Sequence, residues 1–393
     1  MTTPRTQLRP GYTTPVVIKG NWQIADDHST AVGDDDAVYE HLAAFVDAGI
    51  DTLDCGDIYY GVEERIGRFI ERYRRERGRA AADRISVHTK FIPAFLEEEG
   101  LRDLDRATIV QTIDRSLSRL KVESLDLVQL HWWNYDVPGN VEAALVLQDL
   151  VQAGKIRHVG GTNYNVTELA RMVDAGVDVV VNQVQYSLTD RRPANGLSRY
   201  CADNGIHLVA YGSMAGGLFS EKWLGIPDPG EPNFENVSLD KYYRIIVDFG
   251  GWDLFQELLR ALKTVADRHG VSIPVVASRW VLDQPAVAAV IQGARHARHL
   301  AANLRIAELE LTAADHDLLN PVLDRATGPA GDAYDLDRAE NRDAVENLSP
   351  DYFDVEAGRL VRRHRRVEAP AELYGHHLAA AHADPVGTLT AQR

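Results

Sequence analysis

Short runs dominated by β-branched and other apolar residues recur along the first three hundred positions, at 16–20 (VVIKG), 51–55 (DTLDC), 85–91 (ISVHTKF), 125–131 (LDLVQLH), 156–162 (IRHVGGT), 177–183 (VDVVVNQ), 206–212 (IHLVAYG) and 287–293 (VAAVIQG). Each is short enough to be a strand, and the stretches between carry apolar residues at helical spacing. AVYEHLAAFVDAGI, NVEAALVLQDLVQAGKI and VTELARMVDAGV place Gly49, Gly154 and Gly176 where a helix closes on a left-handed residue. Strands apolar on both faces and joined by helices are parallel, and eight such units predict a closed (β/α)8 TIM barrel over residues 1–326. An open doubly wound sheet is the alternative. Beyond about Thr327 the periodicity weakens, so 327–393 reads as a C-terminal extension, irregular or partly helical, after an amphipathic helix in LTAADHDLLNPVL.

Composition narrows the function. With 393 residues, 45% hydrophobic and 25% charged, the chain is globular. A net charge of −16 argues against a nucleic-acid partner, which needs a basic face, and equally against an anionic membrane surface. MTTPRTQLRPGYTTP has no apolar signal core and no stretch reaches membrane-spanning length, so a cytoplasmic protein is expected. Cys55 and Cys201 lie in separate segments and are read as reduced, buried packing residues. His376, His377 and His382 lack an accompanying carboxylate or cysteine set, so no metal site is expected.

In a barrel of this kind chemistry collects at the C-terminal ends of the strands. The polar outliers fall there: Asp54, Lys90, His131, Thr162 with Asn163, Asn182 with Gln183, Tyr211, and Gln292 with Gly293. A single polar residue at a strand end is ordinarily a wet turn residue; the full set at one end is the signal. Lysine is scarce in this arginine-rich chain, which marks Lys90 further.

DTLDCGDIYYGVEERIG, VHTKF, LDLVQLHWW, VGGTNYN and VNQVQYSL, in that order, resemble the aldo-keto reductases, and the resemblance runs from about Gly20 to Asn303. It implies a nicotinamide-dependent oxidoreductase with a tetrad of Asp54, Tyr59, Lys90 and His131. The physics fits those residue types. Carbonyl reduction needs a proton donor, and a phenol with an ordinary pKa near 10 is a reluctant one. A neighbouring lysine stabilises the phenolate, a carboxylate holds the lysine, and a histidine hydrogen bond strengthens as charge develops on the carbonyl oxygen. The five residues from Asp54 to Tyr59 match the spacing of the family pattern, so the resemblance implies Tyr59 as the acid, with Tyr60 as a pocket wall and Asp57 as a turn or capping residue.

By the same resemblance Asn163 and Gln183 hold the nicotinamide carboxamide with Thr162 beside them, and Tyr211 stacks on the ring. Gly20, Asn21, Trp22 and Asp54 approach the ribose side, followed by Gly212, Met214 and Gly217 after strand seven. VIQGARHARHLAANL resembles the segment that holds the pyrophosphate and 2′-phosphate, with Gly293, Ala294, Arg295, His299 and Asn303 as its contacts. Arg295 offers a fork for a phosphate, which favours NADP(H) over NAD(H). His299 and Ala302 depart from the family's usual residues there. The long segment 213–251 is expected to be a lid loop that lines a substrate pocket with Trp22, Tyr60, His131, Trp132 and Trp133. That aromatic wall suits an aromatic carbonyl compound or a sugar alike. Two other functions use the same motifs: a non-enzymatic nicotinamide-binding redox sensor, and a redox-neutral sugar isomerase with retained cofactor. The basic run RLVRRHRRVEAP is read as a solvated arm, with self-association through the C-terminal extension as its other reading.

Overall fold

The computed structural model describes residues 3–25, 35–93, 105–132, 135, 138–230, 237–294, 297–333, 352–356 and 359–363. The chain opens with a hairpin of β1 (Arg5–Arg9) and β2 (Tyr12–Pro15) turned at Gly11. The barrel strands follow as β3 (Val17–Gly20), β4 (Thr52–Asp54), β5 (Ser86–Phe91), β6 (Leu125–Leu130), β7 (Ile156–Thr162), β8 (Val179–Gln185), β9 (His207–Tyr211) and β10 (Val287–Gly293). Neighbours pair in parallel in chain order, and β10 closes onto β3 through Val290↔Val17 and Gly293↔Gly20. All eight barrel strands lie where the apolar runs placed them.

Around this barrel lie α1 (Asp35–Asp47), α2 (Val62–Arg77), the short α3 (Arg79–Ala82), α4 (Arg106–Leu120), α5 (Asn140–Gln152), α6 (Val166–Asp174), α7 (Leu197–Asp203), α8 (Val237–Phe249), α9 (Gly251–His269), α10 (Ile273–Leu282), α11 (Leu300–Glu308) and α12 (Ala313–Leu323). Gly49, Gly154 and Gly176 all adopt positive φ at helix ends. Outward-facing strand residues such as Val87, Val128 and Val159 meet the helices, whereas Ile18, Leu127, Val181, Val209 and Ala289 fill the interior.

Two features differ from expectation. The hairpin plugs the N-terminal end of the barrel: Leu8 joins the interior cluster, and Thr14 Oγ1 donates to Thr52 Oγ1 at 3.3 Å. Arg9 ties the hairpin to the barrel through Gly205 O (2.8 Å), Val179 O (2.9 Å) and Asp178 (2.7 Å). The alternation in RTQLRPGYTT with its Pro-Gly turn is the sequence signal for it. The segment 213–251 is more than a lid loop. It makes 3₁₀ turns at Ala215–Gly217 and Glu221–Trp223 and then forms α8, whose Tyr242, Tyr243, Ile245, Ile246 and Phe249 are buried. That many large apolar residues are worth more in a core than over a cleft.

The start of the extension crosses the barrel's flank. Thr327 N donates to Phe249 O, Asn195 Nδ2 to Gly331 O, and Asp332 Oδ2 accepts from Val166 N at the start of α6. Farther on, β11 (Tyr352–Glu356) and β12 (Arg359–Arg363) pair as an antiparallel hairpin, so this part of the extension is extended and not helical. His376, His377 and His382 lie outside the described residues. No helix among the described residues is long and apolar enough to cross a membrane.

Helix α2 packs against α4 at Gly67, where an added Cβ would stand 2.1 Å from Arg119 O and 3.0 Å from Leu120 C. Backbone, not a flexible side chain, is in the way. Gly67→Ala is therefore expected to lower stability by about 1–3 kcal/mol despite alanine's better helix propensity. The check is the urea midpoint; a variant as stable as the parent would show that the two helices separate freely.

Candidate active site

At the C-terminal end of the barrel, β4 and β5 place Asp54 and Lys90 side by side, with exposures of only 6% and 3%. Lys90 Nζ donates to both Asp54 oxygens, at 2.8 and 2.9 Å, and to Cys55 O at 2.8 Å. All three ammonium hydrogens are thereby used, which is what keeps a buried lysine charged. Burial by itself would depress Lys90, but the neighbouring Asp54 and then Tyr59 hold its pKa above the ordinary lysine range. The Tyr59 ring lies 5.1 Å from Lys90 Nζ and meets the Trp22 ring edge-on at 4.6 Å. Burial raises the Tyr59 pKa, and Lys90 opposes that rise without reversing it. The net direction is opposite to the expected one, because removing a phenolate from water outweighs one cation already shared with Asp54.

The tyrosine turn is held from below. Tyr59 N donates to Gly56 O, and Asp57 N to Lys90 O, across the β5 end. Asp57 accepts from Ile92 N at 3.3 Å, which makes it a turn residue; burial, with Glu63 nearby, pushes its pKa up to about 8. Tyr60 is half-buried beside Tyr59. His131 follows β6, and Asn163 Nδ2 lies 3.4 Å from His131 Nε2. Asn163 has φ +60°, an uncommon value for a residue with a Cβ, and its Oδ1 accepts from Tyr211 Oη at 2.9 Å. His131, Asn163 and Tyr211 thus form one connected edge at the C-terminal end of the barrel.

Several expected contacts are placed differently. Gln183 Nε2 donates to Asp54 Oδ2 at 2.7 Å and to Gln129 Oε1 at 3.0 Å, so its amide nitrogen faces down into the barrel. The Asn21 side chain is buried and committed to backbone, donating to Lys19 O and Asp54 O at 3.0 Å each, and so is not offered to a ribose. Asn182 clamps the backbone of Tyr164, and Gln292 donates to Ser213 and Ser278; both are packing residues. Trp132 is 1% exposed within the core, against the expectation that it lines the pocket, because its bulk fills the space beside α5. Trp133 and Arg295 lie outside the described residues.

A nicotinamide dinucleotide fits what remains. Thr162 Oγ1 and Asn303 Nδ2 are buried with no hydrogen-bond partner among the described residues, at two positions expected to touch the cofactor. Buried polar atoms are almost always paired, and a cofactor at these positions would supply the missing partners. Gly217 has open space where a side chain would stand, and Gly20 and Gly293 sit side by side in the pairing of β3 with β10. Met214 and Gly212 lie at the end of β9 beside Tyr242, Ala294 is buried, and His299 ends a 3₁₀ turn leading into α11.

Sequence reading missed four interior residues. Gln129 lies in the same layer as Asp54. Lys19 donates to Gly20 O at 2.5 Å, and its complete burial lowers its pKa to about 7. Lys241 of α8 is buried with Nζ 5.8 Å from the Tyr211 ring. His88, one layer below Lys90, shares a 2.7 Å hydrogen bond with Tyr12 of the plug. For Lys19, His88 and Gln129 the available signal was a polar residue inside an otherwise apolar strand, as in LDLVQL and VVIKG.

A closed eight-stranded barrel with a buried lysine–aspartate pair beside a tyrosine at the strand ends defines a TIM-barrel protein of the reductase kind. Residues 16–324 match the aldo/keto reductase family, and the chain belongs to it. The aldo-keto reductase YhdN of Bacillus subtilis is 29% identical over 308 residues, which span 77% of this chain and 88% of that protein. The NADH-specific methylglyoxal reductase of Escherichia coli is 26% identical over 223 residues, 56% of this chain and 65% of that one. Among solved structures, a thermostable aldo-keto reductase in complex with the inhibitor epalrestat superposes with a TM-score of 0.63 at 25% identity, covering 81% of this chain and all of the other.

Burial lowers the pKa of His88 from 6.5 to about 3, with Lys90 and His158 adding to the effect. Between those values the unfolded chain binds a proton that the folded chain does not, so stability falls as pH drops from about 6.5 toward 3. His88→Gln is expected to flatten this part of the curve of urea midpoint against pH. An unchanged curve would assign the acid sensitivity to other groups.

Proposed function

We propose that the protein is an NADP(H)-dependent oxidoreductase that moves a hydride between nicotinamide and the carbonyl or alcohol carbon of an aldehyde, ketone or sugar, with Tyr59 as the general acid/base. The observation that carries this reading is the buried Lys90–Asp54 pair set against the Tyr59 ring. When bound, the reduced cofactor supplies the hydride. Tyr59 donates the proton to the carbonyl oxygen; its raised pKa keeps the phenol protonated, and so ready to donate, at neutral pH. Lys90 stabilises the phenolate left behind, and Asp54 keeps Lys90 charged and aimed. His131 directs the carbonyl oxygen toward Tyr59 by a hydrogen bond that strengthens as negative charge grows there. Asn163, tied to Tyr211, brackets the carboxamide, and Tyr211 offers its face to the ring. Trp22, edge-on to Tyr59, and Tyr60 wall the substrate side. An intact proton-donor assembly supports an enzyme over a redox sensor, since sensing alone needs no aligned acid.

The preference for NADP(H) over NAD(H) rests on Arg295 reading a 2′-phosphate; the Escherichia coli relative, by contrast, is named as NADH-specific. The substrate is tested directly by a panel of aldehydes, ketones and sugars followed at 340 nm with each cofactor.

Tyr59→Phe should keep cofactor affinity while lowering kcat by at least about a hundred-fold. Retention of more than about a tenth of kcat would remove Tyr59 from the role, and Tyr60→Phe would then be the inactive variant. Arg295→Ala should raise the NADPH dissociation constant about ten- to a hundred-fold, the worth of a charge-assisted hydrogen bond, and leave NADH unchanged. Equal losses for both cofactors, measured by quenching of protein fluorescence at low salt, would show that Arg295 does not read the phosphate.

A further inference from the structure

Asp54 meets more than its lysine. Gln183 Nε2 lies 2.7 Å from Asp54 Oδ2 and 3.0 Å from Gln129 Oε1, while Gln129 Nε2 lies 3.5 Å from the same Asp54 oxygen. Gln129 is 0% and Gln183 4% exposed. A carboxylate only accepts hydrogen bonds, so the Gln183 atom beside Asp54 must be its nitrogen, whichever way the amide is drawn. Both N–H bonds of Gln183 are then occupied, one by Asp54 and one by Gln129. Its Oε1 alone is left to offer to a bound molecule.

We propose that Gln129 is a positioning residue that, with Asp54, locks the Gln183 amide with its oxygen toward the cofactor, so that the site accepts a nicotinamide carboxamide and rejects an acceptor in its place. This rests on the reading that the carboxamide docks at Asn163 and Gln183. An oxygen at Gln183 receives a hydrogen bond from the carboxamide NH₂. It has nothing to give a carboxylate, which would meet it lone pair to lone pair and lose its hydration without replacement. Without Gln129, one N–H of Gln183 loses its acceptor inside the barrel. The amide relieves that by turning the hydrogen outward, where a donor now awaits either ligand. The same three residues therefore join the charge that holds Lys90 to the choice of what lies above it.

The test compares the reduced cofactor with its analogue in which the carboxamide is a carboxylate, binding measured by quenching of protein fluorescence with the wild-type chain, Gln129→Leu and Gln129→Glu. Wild type should favour the carboxamide by about a hundred-fold or more. Gln129→Leu should shrink that ratio at least about ten-fold, the scale of one released donor. Gln129→Glu at pH 6 should restore the ratio, because a buried glutamic acid beside Asp54 stays protonated, donates to Asp54 and accepts from Gln183. Leucine lowering both affinities by one factor, or failure of the glutamate variant to restore the ratio, would overturn the proposal in favour of plain packing. A wild type that binds both forms equally would overturn it and leave the cofactor reading standing. A wild type that binds neither would overturn both.

Discussion

The structure is organised around one buried ion pair. Taking a lysine and an aspartate out of water costs several kcal/mol per ion, and only close geometry with every remaining donor satisfied returns it. Lys90 meets that demand with both Asp54 oxygens and Cys55 O. Asp54 meets it with Lys90 and the two glutamine amides. These groups come from β4, β5, β6 and β8, so the pair exists only if the barrel closes in register. The pairing Asp54↔His88 and the bond from Cys55 N to His88 O set that register at the β4–β5 seam.

The cost of burial also shapes what surrounds the pair. Phenol, thiol and carboxyl groups near it are all raised in pKa, chiefly by desolvation: Tyr59, Cys55, Asp57 and Glu63. Glu63 is stabilised by Thr89, Ser116 and Arg119, and Cys55 is a protonated packing residue. Desolvation is the largest cause at each of the four, and Lys90 is the buried cation nearest Tyr59. Under the proposed function, a Tyr59 kept protonated 5.1 Å from Lys90 Nζ would have its charge stabilisation in place before any proton leaves.

Elements outside the barrel repeat complete the mouth and the base. Helix α8 carries Lys241, whose Nζ lies 5.8 Å from the Tyr211 ring, and Tyr242, which stands beside Gly212. The strap at 327–333 binds α8 through Phe249 and α6 through Val166, so the flank opposite Tyr59 is tied down from the C-terminal side. At the other end the N-terminal hairpin seals the interior, and its Tyr12 reaches His88 directly below Lys90.

Periodicity alone determined the eight strands and helices such as α1, α5 and α6 between them, because strand and helix periods are local properties and parallel strands with crossover helices admit few closures. Asp54, Lys90 and His131 were legible as polar residues at strand ends, and Tyr59 only through the resemblance of its spacing from Asp54 to the family pattern. Residue type did not reveal which way each amide faces, since Asn21, Asn182 and Gln183 look alike in sequence and differ only in the neighbour that three-dimensional pairing brings to them. The same holds for Trp132, an aromatic that the core claimed from the pocket, and for Tyr59, whose pKa direction was decided by burial. The helix within segment 213–251 was not legible, because the value of Tyr242, Ile246 and Phe249 depends on a core that only the closed barrel creates. Local pattern determines elements; hydrogen-bond partners and desolvation are non-local, so the tertiary structure alone decided them.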